Sequence, residues 1–114
     1  EHPANTFVAG FIGSPKMNFV TGASAAAAKA KTIGVRPEHF EVSDKKGTSK
    51  LTLKGTVEYA EALGSDSFLY VNTEDGLLTV REPGTSSFKA GSTVYLTPLK
   101  EHTHRFDEQG NRIN

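Results

Sequence analysis

The 114-residue sequence contains no cysteine. That excludes a disulfide framework and a thiolate metal site, and it fits a cytoplasmic protein without fixing the compartment. Neither sign of charge is in excess, with 13 lysines and arginines against 13 aspartates and glutamates. A dedicated nucleic-acid or acidic-membrane surface needs a net positive field, so the balance argues against both. No apolar run approaches the roughly 18–20 residues of a membrane-spanning helix, and no secretory leader is evident. The phosphate loop G-x-x-x-x-G-K-[S/T] is also missing. Gly10-Phe11-Ile12-Gly13-Ser14 is rich in glycine, but it lacks the lysine and is interrupted by large apolar side chains. There is no G-x-S-x-G nucleophile elbow, and local sequence places no Ser, His and Asp as a triad.

What is present is turn-rich. Eleven glycines, many between short apolar runs, suggest one all-β domain. Leu51, Leu53, Gly55, Val57 and Tyr59 alternate with Lys50, Thr52, Lys54, Thr56 and Glu58. This period of two is that of a strand with one wet face, with Gly55 permitting a bend or bulge on the apolar side. Phe68–Val71 is a continuous apolar run that suits a strand covered on both faces. Asp75-Gly76 reads as a hairpin turn into a strand over 77–81, and Thr93–Leu99 as a further strand. Phe106 and Ile113 bracket a last turn at 107–110. The expected architecture is a small OB-like barrel or sandwich of five to six strands behind a short N-terminal helix.

That helix rests on Phe7, Val8, Phe11 and Ile12, which recur at helical spacing and end at Gly13-Ser14-Pro15. About ten residues of helix are marginal in water alone. The stripe Phe7, Phe11 and Ile12 therefore packs either on this chain or on a neighbouring domain or second copy. Residues 23–31 are low in complexity and carry no large apolar side chain, so they read as a linker or a short exposed helical turn. The chain then divides into 1–22, a joining helix and first strand; 23–31, the linker; and 32–114, the main domain.

Four polar groups are candidates for chemistry. Arg36-Pro37-Glu38-His39 is the densest, with Pro37 holding Arg36 extended. It reads as a structural ion pair at a rim, or as a contact to a small ligand or a partner domain. Gly64-Ser65-Asp66 reads as a turn, with accessible N–H groups that suit an anion or sugar hydroxyl as the alternative. His102 and His104 would share one face of a strand, with Glu101 or Asp107 as a further metal ligand. No spacing fixes a third ligand, so an exposed polar segment is the plainer reading. Lys45, Lys46, Lys50 and Lys54 lie near Tyr59, Phe68 and Tyr70, the combination OB barrels use for single strands. Lys50 and Lys54 oppose the apolar face that holds Tyr59, so the cluster reads as a solvated surface.

Several stretches, taken in order, carry a resemblance: Phe7–Phe19, Ile33–Phe40, Val57–Asp66 and Phe106–Ile113. They resemble the C-terminal accessory domain, of the transport-associated OB type, of ATP-binding subunits of maltose-type sugar importers of the ABC class. The resemblance implies a non-catalytic regulatory and dimerisation domain, with no cofactor of its own. ATP and magnesium would be held by an ATPase domain before Glu1, where the phosphate loop, signature motif and catalytic acid would lie. The implied partners are that ATPase domain, a second copy of the subunit and the membrane permease subunits, at the cytoplasmic face of the membrane, with no nucleic acid. A chain opening on Glu1 reads as a piece of such a protein. Phe7, Phe11 and Ile12 would belong to the joining helix, and Arg36, Glu38, His39, Gly64, Ser65 and Asp66 to a rim or interdomain surface. The connection at 23–31 is shorter than the family's, which usually carries strands of its own. Relatives of the domain bind oxyanions, so an oxyanion- or sugar-binding module is one alternative function and a single-strand binder another.

Overall fold

The structure is a computed structural model and describes residues 17–113. Its strands are β1 (Asn18–Val20), β2 (Thr32–Val35), β3 (Phe40–Ser43), β4 (Leu53–Leu63), β5 (Asp66–Thr73), β6 (Gly76–Pro83), β7 (Thr93–Pro98) and β8 (His104–Phe106). One helix, α1 (Ala23–Ala27), and 3-10 turns at Pro37–His39 and Lys100–His102 complete the order. The helix expected over Phe7–Ile12 lies outside the described residues.

All pairings are antiparallel and form two sheets, ordered β1-β2-β8 and β3-β7-β4-β5-β6. The all-β, OB-like expectation is met. The larger sheet ends at β3 and β6 without closing into a barrel. The five or six expected strands become eight because β1, β2, β3 and β8 have only three or four residues each. Segments that short leave almost no periodicity to read.

The inward faces of both sheets meet in one core. Val20, Ile33 and Val35 come from the small sheet, and Val57, Leu69, Val71, Val80, Val94 and Leu96 from the large one, all essentially inaccessible. Burying each such side chain contributes about 1.5–3 kcal/mol. Phe106, also fully buried, packs edge-on to Phe19 with ring centroids 6.2 Å apart.

In β5, Leu69 and Val71 are buried while Phe68 and Tyr70 are half-exposed. The expectation of a strand covered on both faces is therefore corrected. The apolar run includes two aromatics whose rings lie on the outer face.

Tyr59 also departs from expectation. Val57 pairs with Val71 and Tyr59 with Tyr70, so Glu58 is an extra residue, a β-bulge. The bulge moves Tyr59 from the side of Leu53, Gly55 and Val57 to the solvent face, where it is 52 % exposed. Gly55 marks a close approach three residues before Glu58. A Cβ there would lie 2.5 Å from Val71 Cγ1 and 2.7 Å from the Asn72 carbonyl oxygen.

The 23–31 stretch is not merely an exposed connection. Ser24 and Ala25 of α1 are buried, and the Ser24 hydroxyl donates to the Leu51 carbonyl at 2.6 Å. Small side chains let this short helix sit close against the sheet, which supplies the burial that alanine cannot provide through size. The Asp75 carboxylate, on the β5–β6 turn, accepts from the N–H groups of Thr21 and Gly22 at 3.1 and 3.0 Å, tying down the entry to the helix. At the exit, the Lys29 N–H donates to Ala26 and the Ala30 N–H to Ala25, at 2.9 and 3.0 Å. That pair of bonds is a Schellman cap, and it places Lys29 at φ 60°, where glycine is usual.

Candidate functional site

Arg36 is extended, with φ −71° and ψ 153°, as the following proline requires. Buried Pro37 opens the 3-10 turn, which leaves Glu38 exposed and His39 half-buried. Arg36 and Glu38 do not bond each other. The ion pair expected between them is instead made by Arg81, whose guanidinium donates from Nε at 2.9 Å and from Nη2 to Asp66 Oδ2.

Arg81 connects two stretches that are separate in sequence. Its pKa is raised first by the hydrogen bond and charge of Asp66, with a smaller contribution from the charge of Glu38. Glu38 and Asp66 thus act on one guanidinium. Both ends of the Asp66 pair are partly exposed, so its contribution to stability is modest. Sequence reasoning did not single out Arg81. The signal was in the hairpin register, which sets Arg81 opposite Phe68 and close to Asp66.

Gly64-Ser65 is the two-residue turn of the β4–β5 hairpin, with Leu63 paired to Asp66. Gly64 has φ 77° and Ser65 does not share the positive angle, the arrangement of a type II′ turn. The Ser65 carbonyl accepts from the Gly84 N–H at 2.6 Å, so the turn is braced by the next loop.

His39 stacks on His102 with ring centroids 4.0 Å apart and planes 18° apart. Burial lowers the His39 pKa below the usual imidazole value, the His102 charge and Arg36 lower it further, and Glu38 opposes them. The expected sharing of a strand face by His102 and His104 is corrected: His102 is exposed on a 3-10 turn, while His104 is buried in β8. Among the described residues no three His, Cys, Asp or Glu side chains are grouped to hold a metal ion.

The outer face of β4–β6 carries a strip of aromatic and polar side chains. Tyr59 stacks on Tyr70 at 4.5 Å, Phe68 meets Tyr70 edge-on at 6.4 Å, and the Arg81 guanidinium carbon lies 6.0 Å from the Phe68 ring centre. The Tyr70 hydroxyl donates to Glu61 at 3.1 Å, and burial together with that carboxylate raises its pKa. Lys54 is on this solvent face with Tyr59, not opposed to it, because the bulge reverses the alternation. Lys46 and Lys54 line a cleft of about 310 Å³ together with Glu74, Asp75 and Tyr95. The two carboxylates offset the two ammonium groups there, which gives no net field for a nucleic-acid strand. The candidates Phe7, Phe11 and Ile12 lie outside the described residues.

Two small antiparallel sheets, with polar loops and a braced aromatic face, define an OB-like all-β domain. Residues 33–106 match the TOBE domain family, and the chain belongs to it. The chain is similar to the sn-glycerol-3-phosphate import ATP-binding proteins of Chromohalobacter salexigens and Ruegeria pomeroyi. It is 34% and 36% identical to them, with 97% and 99% of the chain matched. It is 29% identical over 96% of its length to the maltose/maltodextrin import ATP-binding protein of Photobacterium profundum. The matches cover 35%, 36% and 37% of these three relatives, so the chain spans little more than a third of their length.

Proposed function

We propose that this domain is the accessory part of an ATP-binding subunit of an ABC importer for sugars or polyol phosphates, non-catalytic by itself. The observation that supports this reading is the near-complete match of the chain to about a third of several import ATP-binding proteins, within a TOBE domain. Its role is to hold and regulate the pairing of two ATPase domains as they open and close beneath the permease. ATP and magnesium belong to the ATPase domain, and the location is the cytoplasmic face of the membrane. A rigid two-sheet body suits such a role, since its strands transmit force without rearrangement. The rim formed by Glu38, Asp66 and Arg81, with Arg36, His39, Gly64 and Ser65 beside it, is the proposed interdomain contact, and Phe7, Phe11 and Ile12 are the proposed packing stripe.

The test compares the parent subunit with a version lacking residues 17–113. Loss of the dimer in size-exclusion chromatography, with nucleotide binding retained, is the expected result. The isolated chain should show no ATP turnover. A deletion that leaves dimerisation and transport intact, or ATP hydrolysis by the isolated chain, would overturn the reading.

A further inference from the structure

Strand β4 is paired on both sides for only part of its length. Leu53–Thr56 pair with β7. The Val57 N–H then donates to the Ser92 carbonyl at 2.9 Å, and its carbonyl accepts from the Gly91 N–H at 2.8 Å. Beyond the Glu58 bulge, residues 59–63 pair with β5 alone. Among the described residues, no other main chain bonds to that edge. The outer edge of β6, by contrast, is met by the Asn18 side chain.

The hairpin fixes which groups the free edge presents. Leu63 and Asp66 flank the two-residue turn, so they are the pair that exchanges hydrogen bonds at its mouth. Alternation then turns the main-chain groups of Tyr59 and Glu61 towards β5, and those of Ala60 and Ala62 away from it. Both alanines are exposed, and their methyl groups leave the edge accessible. Beside them runs a groove of about 360 Å³, whose other wall is the loop at 85–90 with the half-buried Phe88 in its lining. That loop is held in place. The Ser86 N–H donates to Ser67 Oγ at 3.1 Å, and the buried Ser67 hydroxyl donates to the Gly84 carbonyl at 2.7 Å.

Charge selects the occupant. Glu58 accepts from the Asn72 amide at 2.6 Å and Glu61 from the Tyr70 hydroxyl at 3.1 Å. Both partners are neutral, so the two carboxylates keep their charge on the face that carries Tyr59. Lys89, the one cation of the groove lining, is on the loop wall and forms no ion pair with either. We infer that the free edge of β4 at 59–63 receives an extended polypeptide of alternating apolar and basic residues by strand addition. Main-chain bonds to Ala60 and Ala62 hold it. Residues directly opposite the alanines share their face, so the apolar side chains enter the groove towards Phe88. The basic side chains lie beside Glu58, Glu61 and the Tyr59 ring. A second copy is the poorer occupant, since its own β4 would bring the same two carboxylates against these.

The test is fluorescence anisotropy on the whole chain with a labelled peptide of about six alternating lysine and valine residues, the length of an ordinary strand. Saturable binding is expected. N-methylation of the valine nitrogens, which face the edge, should weaken it at least about tenfold. N-methylation of the lysine nitrogens, which face away, should change it less than about threefold. Glu61→Gln should weaken binding about threefold, the effect of one exposed charge pair. Ala62→Pro removes an outward N–H that no bond within the chain uses, and should weaken binding at least about tenfold. The methylated peptides give the same reading on unaltered protein. Absence of saturable binding, or equal affinity for the two methylated peptides, would overturn the inference. So would a dimer that Ala62→Pro dissociates in the absence of any peptide binding, since the edge would then belong to a second copy.

Discussion

The Asn18 carboxamide pairs with the main chain of Thr79 in both directions. Its Oδ1 accepts from the Thr79 N–H at 2.9 Å, and its Nδ2 donates to the Thr79 carbonyl at 2.7 Å. The same Nδ2 donates to the Val35 carbonyl at 3.2 Å. One buried side chain on the edge of the small sheet thus imitates a neighbouring strand residue for β6, the open edge of the large sheet. It joins the two sheets where no strand does, and it covers an edge that would otherwise be free to pair elsewhere.

Replacing Asn18 should therefore reveal how much that junction contributes. Asn18→Ala leaves two main-chain groups of Thr79 without this partner and is expected to destabilise the fold by about 1–3 kcal/mol. Asn18→Asp should be no better, because a carboxylate cannot donate to the Thr79 and Val35 carbonyls. Urea unfolding measures both, and a loss below about 0.5 kcal/mol for both would show the junction to be dispensable.

Gly55→Ala is expected to destabilise by about 1–3 kcal/mol through overpacking. The new methyl meets the Asn72 main chain at 2.7 Å and Val71 at 2.5 Å, and the main-chain contact has little freedom to yield. Gly47→Ala is the control, since nothing lies within 4 Å of its Cβ position. Equal midpoints in denaturant for the two variants would contradict the close approach.

Lys29→Gly should stabilise the protein by about 0.5–1 kcal/mol, the relief of a left-handed residue less the added freedom of glycine in the unfolded chain. The Schellman bonds from residues 29 and 30 do not involve the lysine side chain, so they persist. Thermal or urea unfolding gives the sign, and a less stable variant would contradict the cap geometry.

The stacked His39–His102 pair predicts a dependence on acid. The folded-state pKa of His39 lies below its unfolded value of 6.5. Above that value both states are neutral and the group adds no slope. As pH falls below it, the unfolded chain takes up the proton first, so stability declines until the folded pKa is passed. His39→Gln should flatten this part of the stability–pH profile, and His102→Gln should flatten it partly, by removing one of the charges that lowers the His39 pKa. A profile from pH 7.5 to 5 that does not differ between wild type and His39→Gln would refute this.

Much of the large sheet was legible in sequence because its strands are long. Leu53, Gly55 and Val57 alternate as read, and the Asp75-Gly76 hairpin lies where turn chemistry indicated. Tyr59 was misplaced because a one-residue bulge inverts every later position, and alternation alone gives no sign of it. The family was legible in ordered short motifs, even though none is diagnostic alone. The Arg36–His39 and Gly64–Asp66 stretches stood out in sequence only as separate candidates. Their link through Arg81 did not, since it depends on the pairing of β5 with β6 and on the packing of the 3-10 turn beside β6.

The sequence by itself determined the composition of this domain: all-β, turn-rich, neutral, without cysteine or a phosphate loop. Those properties follow from local preference and from residue types that are present or absent, and neither needs a partner in space. Tertiary structure alone decided which face Tyr59 occupies, that the alanine-rich stretch forms a short helix seated on the sheet through Ser24 and Ala25, and that Asn18 serves as a substitute strand. Each of these is a contact between residues distant in the chain. Its energy appears only when the two sheets have closed on one core, so no window of sequence contains it.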